Sequence, residues 1–276
     1  MGMIVISGAT GRLGGRVAQR IGGRPRLLVR DASRAPQGAD VAVADYADGE
    51  SVRRALDGAE TVLMVSGAET PDRVAQHRSF VDAAKAAGVG HLVYTSFAGA
   101  APDATFTLAR DHWHTEKHIR DRGIDYTFLR DNLYADFLPF LVGEDGVIRG
   151  PAGDGRAAVV AQDDIADAIV AVLREPAGHA GKTYEMTGPE AISLAEAAAI
   201  VGEATGKPVR YHDESLAEAY ASREHYQAPK WQVDAWVSTY TAIAAGELAH
   251  VSSDVETLIG RPATSLRELL SSGDRA

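Results

Sequence analysis

The sequence predicts an α/β protein: a Rossmann-like, doubly wound parallel sheet followed by a smaller, mainly helical C-terminal lobe. Three observations predict it. The stretch Ile4 to Gly15, IVISGATGRLGG, runs from a short apolar strand into a turn carrying Gly8, Gly11 and Gly14, and then into a helical stripe of Val17, Ala18 and Ile21. Short apolar strands then alternate with helical patterns as far as Ser96, the signature of βαβ winding. Beyond Gly188 the chain carries three S-x-x-E capping boxes, Ser193 with Glu196, Ser215 with Glu218 and Ser265 with Glu268, each the start of a helix.

The glycine turn comes first because the rest depends on it. A chain that must turn tightly, approach a pyrophosphate without Cβ atoms in the way and pack its next helix closely on the strand needs glycine at those points. Phosphates then meet the free N–H groups and positive end of the helix. The spacing G-x-x-G-x-x-G would also serve a tight βα turn with no ligand, but strand, turn and helix in this order are the context a dinucleotide site requires. Gly8, Thr10, Gly11, Arg12, Leu13 and Gly14 are its candidate cofactor-binding residues.

Arg26 to Arg30 (RLLVR) reads as the second strand. Arg30 closes it about 20 residues past the turn, where such folds meet the adenosine ribose. An acid there would accept from a free 2′-hydroxyl, whereas an arginine fork matches a 2′-phosphate. With Arg12 and Arg34 nearby, the expected cofactor is NADP(H). Val41 to Ala44 is the third strand, and Asp45 at its end either receives the adenine amino group or caps a turn. Thr61 to Val65 is the fourth, and its exit, Ser66-Gly67, is small enough to pass beneath the cofactor. Pro71 to Ala87 forms a helix, and His91 to Thr95 a fifth strand with Ser96 after it. Arg110 to Arg122 forms another helix ahead of the strand Tyr126 to Leu129. Phe137, Leu138, Phe140 and Leu141 are candidates for a substrate-side wall, and the glycine-rich run Gly143 to Gly155 for a loop, hairpin or lid. Ala158 to Ala161 is expected as a strand and Asp163 to Pro176 as a helix. Thr183 to Met186 is expected as a strand, Val209 to His212 as a further one, and Trp231 to Gly246 as a helix.

Composition bounds the chemistry. With 276 residues, 45% hydrophobic and 24% charged, the chain can bury a substantial core. It contains no cysteine, which excludes disulfides, thiol nucleophiles, iron–sulfur clusters and thiolate zinc sites. A net charge of −10 argues against a nucleic-acid partner. No apolar run reaches the ~20 residues of a membrane span and no basic leader precedes the first strand, so a cytoplasmic protein is expected.

GATGRLG, the arginine closing the second strand, ADYAD, VYTSFAGA, HTEKHIRDRGIDYTFLRDNLYADF and GRPATSLREL together resemble the NmrA-like branch of the atypical short-chain dehydrogenases, and within it the NADPH-dependent quinone oxidoreductase 2 type. The likeness runs over nearly the whole chain. It implies either a reductase or a cofactor-binding regulator, since the branch contains both. In ordinary short-chain dehydrogenases a Tyr and a Lys four residues apart share a helix face, the Tyr exchanging a proton with substrate and the Lys binding the nicotinamide ribose. Lys117 can take the Lys place, but Trp113 occupies the Tyr place and an indole is no acid. Three other proton sources are open: His112, with its near-neutral pKa; Tyr134, after the strand that ends near Leu129; and Ser96, which could bond a substrate oxygen or the cofactor amide. Water could also supply the proton. His114 and His118 at i, i+4 with Glu116 between them have the spacing of metal ligands, but lack a third partner; a solvated face is the better account, and no metal is expected.

The expected organisation is a nucleotide-binding domain from 1–130 plus about 157–180, and a substrate lobe from about 131–156 plus 181–276, with the nicotinamide in a cleft between them and Asn132 contributing to its site. The expected activity is hydride transfer from NADPH to a quinone or conjugated carbonyl, with His112, Lys117 and Tyr134 as catalytic candidates. The alternative is a non-catalytic NADP(H) sensor acting on a regulatory protein. Partners compatible with the sequence are a small-molecule substrate, a second copy in a homodimer and, for the sensor, that regulatory protein.

Overall fold

The computed structural model describes residues 2–271. In chain order it begins with β1 (Met3–Ser7), α1 (Arg12–Arg20), β2 (Arg26–Val29), β3 (Asp40–Val43), α2 (Gly49–Ala55), β4 (Ala59–Met64), α3 (Arg73–Ala86), β5 (His91–Phe97), α4 (Thr107–Arg122) and β6 (Asp125–Asp131). There follow β7 (Val147–Gly150), β8 (Arg156–Ala157), α5 (Gln162–Arg174), β9 (Lys182–Met186), β10 (Ile192–Ser193), α6 (Leu194–Thr205) and β11 (Arg210–Asp213). The last helices are α7 (Leu216–Ala221), α8 (Lys230–Ala244), α9 (Asp254–Ile259) and α10 (Leu266–Ser271).

Two compact units emerge. One takes in the described residues up to Phe97, Asp111–Arg130 and Ile165–Tyr184; the other takes in Ala98–Arg110, Asp131–Asp164 and the described residues from Glu185 onward.

In the first unit the seven-stranded sheet runs β3-β2-β1-β4-β5-β6-β9. The pairings β1 with β2, β1 with β4, β2 with β3 and β4 with β5 are parallel. This is the strand order of a dinucleotide-binding fold, whose order reverses beside β1 and sets a ligand crevice at the strands' C-terminal ends. The strands read as continuous apolar runs because helices cover both faces. Val5, Leu28, Val62, Met64, Leu92 and Phe128 are fully or almost fully buried, joined by Val52 and Leu56 of the α2 segment and Phe80 and Val81 of α3. Burying each such side chain is worth about 1.5–3 kcal/mol.

In the second unit β7 pairs in parallel with β11, and β8 antiparallel with β10. The run Gly143 to Gly155 is therefore neither a hairpin nor an open lid. Its strands pair with other partners, Val147 and Ile148 are buried, and glycine lets it press against α8: a Cβ on Gly150 would sit 2.1 Å from the Tyr240 ring, and one on Gly155 2.2 Å from the Ile243 carbonyl. Residues 158–161, expected as a strand, make only the isolated bridge of Val160 with Tyr134. Their backbone groups are met by loops instead, Ala158 N–H donating to Leu248 and Val160 N–H to Leu133. All three capping boxes form, with the Ser hydroxyl accepting from the Glu N–H and the Glu carboxylate from the Ser N–H.

Candidate cofactor and active site

The glycine turn has the features a bound phosphate needs. Gly8 adopts a positive φ of 61°, and its carbonyl accepts from Gly11 N–H at 2.9 Å. A Cβ on Gly14 would lie 2.4 Å from the Gly8 carbonyl oxygen and 3.0 Å from that of Ser7, so α1 can lie this close to β1 only with glycine there. Gly11 is the N-cap and offers no side-chain cap, and the first turn of α1 contains no acid. The N–H groups that a Ser or Asp would otherwise satisfy are thus left for an anion. Thr10 is half-buried, Leu13 is core, and Arg12 is exposed at the start of the helix. A cavity of 570 Å³ opens beside the turn, lined among others by Thr10, Gly11, Gly15, Leu27 and Arg34.

Arg30, at the end of β2, and Arg34 are exposed. The neighbouring acid, Asp31, is turned away into its own cap: its Oδ1 accepts from Ser33 N–H at 2.9 Å and from the Ser33 hydroxyl at 2.7 Å, which holds its carboxyl below the usual range. Asp45 likewise caps a turn, accepting from Ala47 N–H at 2.9 Å.

The ends of β1 and β4 are tied together. Ser7 Oγ accepts from Val65 N–H at 2.9 Å, and the Tyr46 hydroxyl, 2.5 Å from Ser7 Oγ, donates to the Val65 carbonyl at 2.8 Å. Ser66 N–H donates to Thr95 Oγ1 at 2.8 Å. Gly67 is clamped at both backbone groups: its N–H donates to His77 Nε2 at 2.8 Å and its carbonyl accepts from Arg73 Nε at 2.9 Å. Beneath it lies a buried polar network that sequence reading missed. Because His77 Nε2 accepts, Nδ1 carries the proton and donates to Thr115 Oγ1 at 2.9 Å, which donates on to the Asp111 carbonyl at 2.8 Å. Arg73 Nη2 approaches His112 Nε2 at 3.1 Å, so His112 Nδ1–H donates to the Tyr94 hydroxyl at 2.9 Å.

That geometry corrects the expectations for α4. His112 is 5% exposed, and its one proton is directed into the core. Burial, then the Arg73 charge, holds its pKa well below the usual value, which disfavours the charged form the expectation relied on. Lys117 lies on the opposite side: five residues at about 100° each place it about 140° around the helix from His112. It is exposed and pairs with Asp121 at 2.6 Å. The buried face holds His112, Thr115, Glu116 and Ile119. Ser96, also buried, donates to Glu116 Oε1 at 2.6 Å and so ties β5 to α4, its hydroxyl proton engaged there. Glu116 also receives Arg130 through Nε and Nη2, both at 2.8 Å, and Arg120 at 3.2 Å. His118, the other end of the metal-like spacing, pairs with Asp82 at 2.7 Å.

Two predictions follow from these networks. Glu116→Gln keeps shape but loses the charge that Arg130 grips, and should destabilise the protein by about 2 kcal/mol in urea unfolding; an unchanged midpoint would show the grip to be dispensable. For His77, burial, then the Arg73 charge, lowers the pKa to about 3. The stability tied to its neutral form is fully present above the unfolded value of about 6.5 and is lost as pH falls toward 3, at about 1.4 kcal/mol per pH unit. Between pH 7 and 5, a His77→Asn variant should therefore lose about 2 kcal/mol less stability than the wild type. Equal losses would mean that His77 titrates normally.

In the second unit, Asn132 is 2% exposed, its Nδ2 donating to the Leu248 carbonyl at 3.0 Å and its Oδ1 accepting from Leu133 N–H at 2.7 Å. Its side chain shapes the backbone leading to Tyr134 and is occupied in doing so. Tyr134 is half-buried, with its ring 5.6 Å from that of Phe137 and its hydroxyl 2.8 Å from Asp131 Oδ2. Asp131 is 2% exposed and was not anticipated; burial raises its pKa to about 8, with the Tyr134 hydrogen bond acting in the opposite sense. Of the expected wall, on the 3-10 helix Ala135–Leu141, Leu138 is buried, whereas Phe140 is 74% exposed.

Comparison with known proteins places the fold in a family. Quinone oxidoreductase 2 of Escherichia coli is 37% identical over 98% of both chains. The crystal structure of the NADPH-dependent quinone oxidoreductase from E. coli complexed with NADPH superposes with a TM-score of 0.89, covering 98% of this chain and 99% of the other at 36% identity. That of the Citrobacter sp. triphenylmethane reductase complexed with NADP(H) gives 0.88, at 34% identity over 98% and 99% of the two chains. The NmrA-like family model matches residues 1–231. A glycine turn on an uncapped helix, a 3-2-1-4-5-6 strand order and full-length relatives lead to one conclusion: the chain belongs to the NmrA-like family.

Proposed function

We propose that this chain is an NADPH-dependent reductase that passes hydride to a small electrophilic acceptor, a quinone or a conjugated carbonyl. The observation that carries the reading is the uncapped N-terminus of α1, held close to β1 by a glycine at position 14, where a Cβ would meet the Gly8 carbonyl oxygen. The turn from Gly8 to Gly14 binds the pyrophosphate through backbone N–H groups. Arg30, with Arg12 and Arg34, meets the 2′-phosphate, and Ser66-Gly67 offers clamped backbone to the rest of the cofactor. NADPH supplies the hydride. We assign the acceptor's oxygen to Tyr134 and its ring to Phe137, because both follow the C-terminal end of β6, the strand edge at which this fold binds ligands. The full-length likeness to the quinone and triphenylmethane reductases supports this reading. Oxidation of NADPH followed across a panel of quinones, enones and triarylmethane dyes tests it. Turnover with at least one acceptor is expected; tight cofactor binding with no turnover on any of them would overturn it.

A further inference from the structure

Reduction of a quinone requires a proton as well as a hydride, and His112, one of the side chains expected to give it, is buried inside the first unit. The structure offers another source. β6 ends in Asp131, whose carboxyl is 2% exposed. Its Oδ2 lies 2.8 Å from the Tyr134 hydroxyl, and its Oδ1, also buried, has no hydrogen-bond partner among the described residues. The backbone neighbours of this segment are Ala98, whose N–H donates to the Asp131 carbonyl, and Met186, whose carbonyl accepts from Asn132. Neither carries charge, and the adjacent Arg130 is bound to Glu116. A carboxylate with one oxygen unsatisfied in a buried place costs far more than a neutral carboxyl there. Tyr134 is the one titratable group in hydrogen-bond contact with it among the described residues.

We propose that Asp131 is the proton reservoir of the reductase, delivering its carboxyl proton through the hydroxyl of Tyr134 to the acceptor oxygen. The proposal rests on the reductase reading and says where that reaction's proton comes from. As hydride arrives, the electron pair moves onto the acceptor oxygen, which takes the Tyr134 hydroxyl proton. For this the Tyr134 hydroxyl, which donates to Asp131 Oδ2 in the resting structure, turns its proton to the acceptor oxygen, and Tyr134 Oη takes the carboxyl proton from Oδ2 in the same event as that O–H bond breaks. Asp131 is left as a carboxylate and regains a proton from water after the product leaves. The oxygen of a hydroquinone anion is phenolate-like and more basic than this carboxyl, so the transfer runs downhill.

Two acceptors separate the proton from the hydride. A quinone needs both, whereas a cationic triarylmethane dye becomes its neutral leuco form on hydride alone. In Asp131→Asn, and independently in Tyr134→Phe, the ratio of quinone to dye turnover should fall by about tenfold or more. The wild-type quinone rate should fall above about pH 8, as the reservoir empties, and this limb should be missing from the dye profile and from Asp131→Asn. A readout independent of turnover is the infrared carbonyl stretch of a protonated buried carboxyl, expected in the wild type at pH 7, lost on raising the pH, and absent from Asp131→Asn. An unchanged ratio in both variants, or a wild-type carboxyl already ionised at pH 7, overturns the relay while leaving the reductase standing. A wild type that oxidises NADPH with neither acceptor overturns the reductase reading and the relay with it.

Discussion

Gly14→Val should lower NADPH affinity by about a hundredfold or more, measured by calorimetric titration. The added Cβ would meet the Gly8 carbonyl oxygen at 2.4 Å and its carbon at 2.7 Å. Both belong to rigid backbone, so α1 must slide away from β1 or the turn must open. Either movement displaces the N–H groups that Gly11 leaves uncapped. Losing two hydrogen bonds to a charged pyrophosphate, at about 1.5–3 kcal/mol each, more than accounts for a hundredfold at about 1.4 kcal/mol per decade. Overpacking should cost about 1–3 kcal/mol of stability as well. Gly15→Ala makes a graded comparison: its Cβ would stand 3.3 Å from the Ala9 carbonyl oxygen, which asks for a shift of a few tenths of an ångström rather than a displaced helix, so its loss of affinity should be smaller than that of Gly14→Val. If Gly14→Val binds NADPH normally, the phosphates lie elsewhere.

Arg30→Asp should shift the ratio of NADPH to NADH affinity by about a hundredfold towards NADH. Removing a charge-assisted contact to the 2′-phosphate costs about 1.5–3 kcal/mol, and the new carboxylate adds repulsion of the dianion while accepting from a free ribose 2′-hydroxyl. The structure gives the experiment a clean background, because Asp31, the natural acid at this edge, is already engaged with Ser33. A ratio that does not move would remove Arg30 from the 2′-phosphate site.

What the sequence made legible was local. Glycines that permit close approach, apolar runs of strand length and S-x-x-E boxes each state their structure within a few residues, and the parallel, doubly wound sheet followed from their alternation. The region around α4 was opaque for a physical reason. Its inner face is polar, with His112, Thr115 and Glu116 satisfied by Arg73, His77, Tyr94, Ser96 and Arg130 from distant parts of the chain. From Arg110 to Arg122 only Trp113 and Ile119 are apolar, too narrow a stripe to point to a core, so the polar residues read as facing a ligand. Helical phase contained part of the answer, since five residues separate His112 from Lys117 and so turn them to different sides. Nothing local marks a buried arginine such as Arg73, or a buried carboxyl such as Asp131. The 158–161 segment misled in another way: an apolar run of strand length is buried there without a ladder, because carbonyls of Leu133 and Leu248 take its N–H groups.

The central claim is that hydride leaves NADPH for the acceptor on this protein. Single turnover with NADPH deuterated at the transferred C4 position, using a cationic triarylmethane dye, tests it most directly. The prediction is a primary isotope effect on dye bleaching with deuterium retained on the central carbon of the leuco product. Bleaching at the same rate with either isotope, with no deuterium in the product, would contradict it.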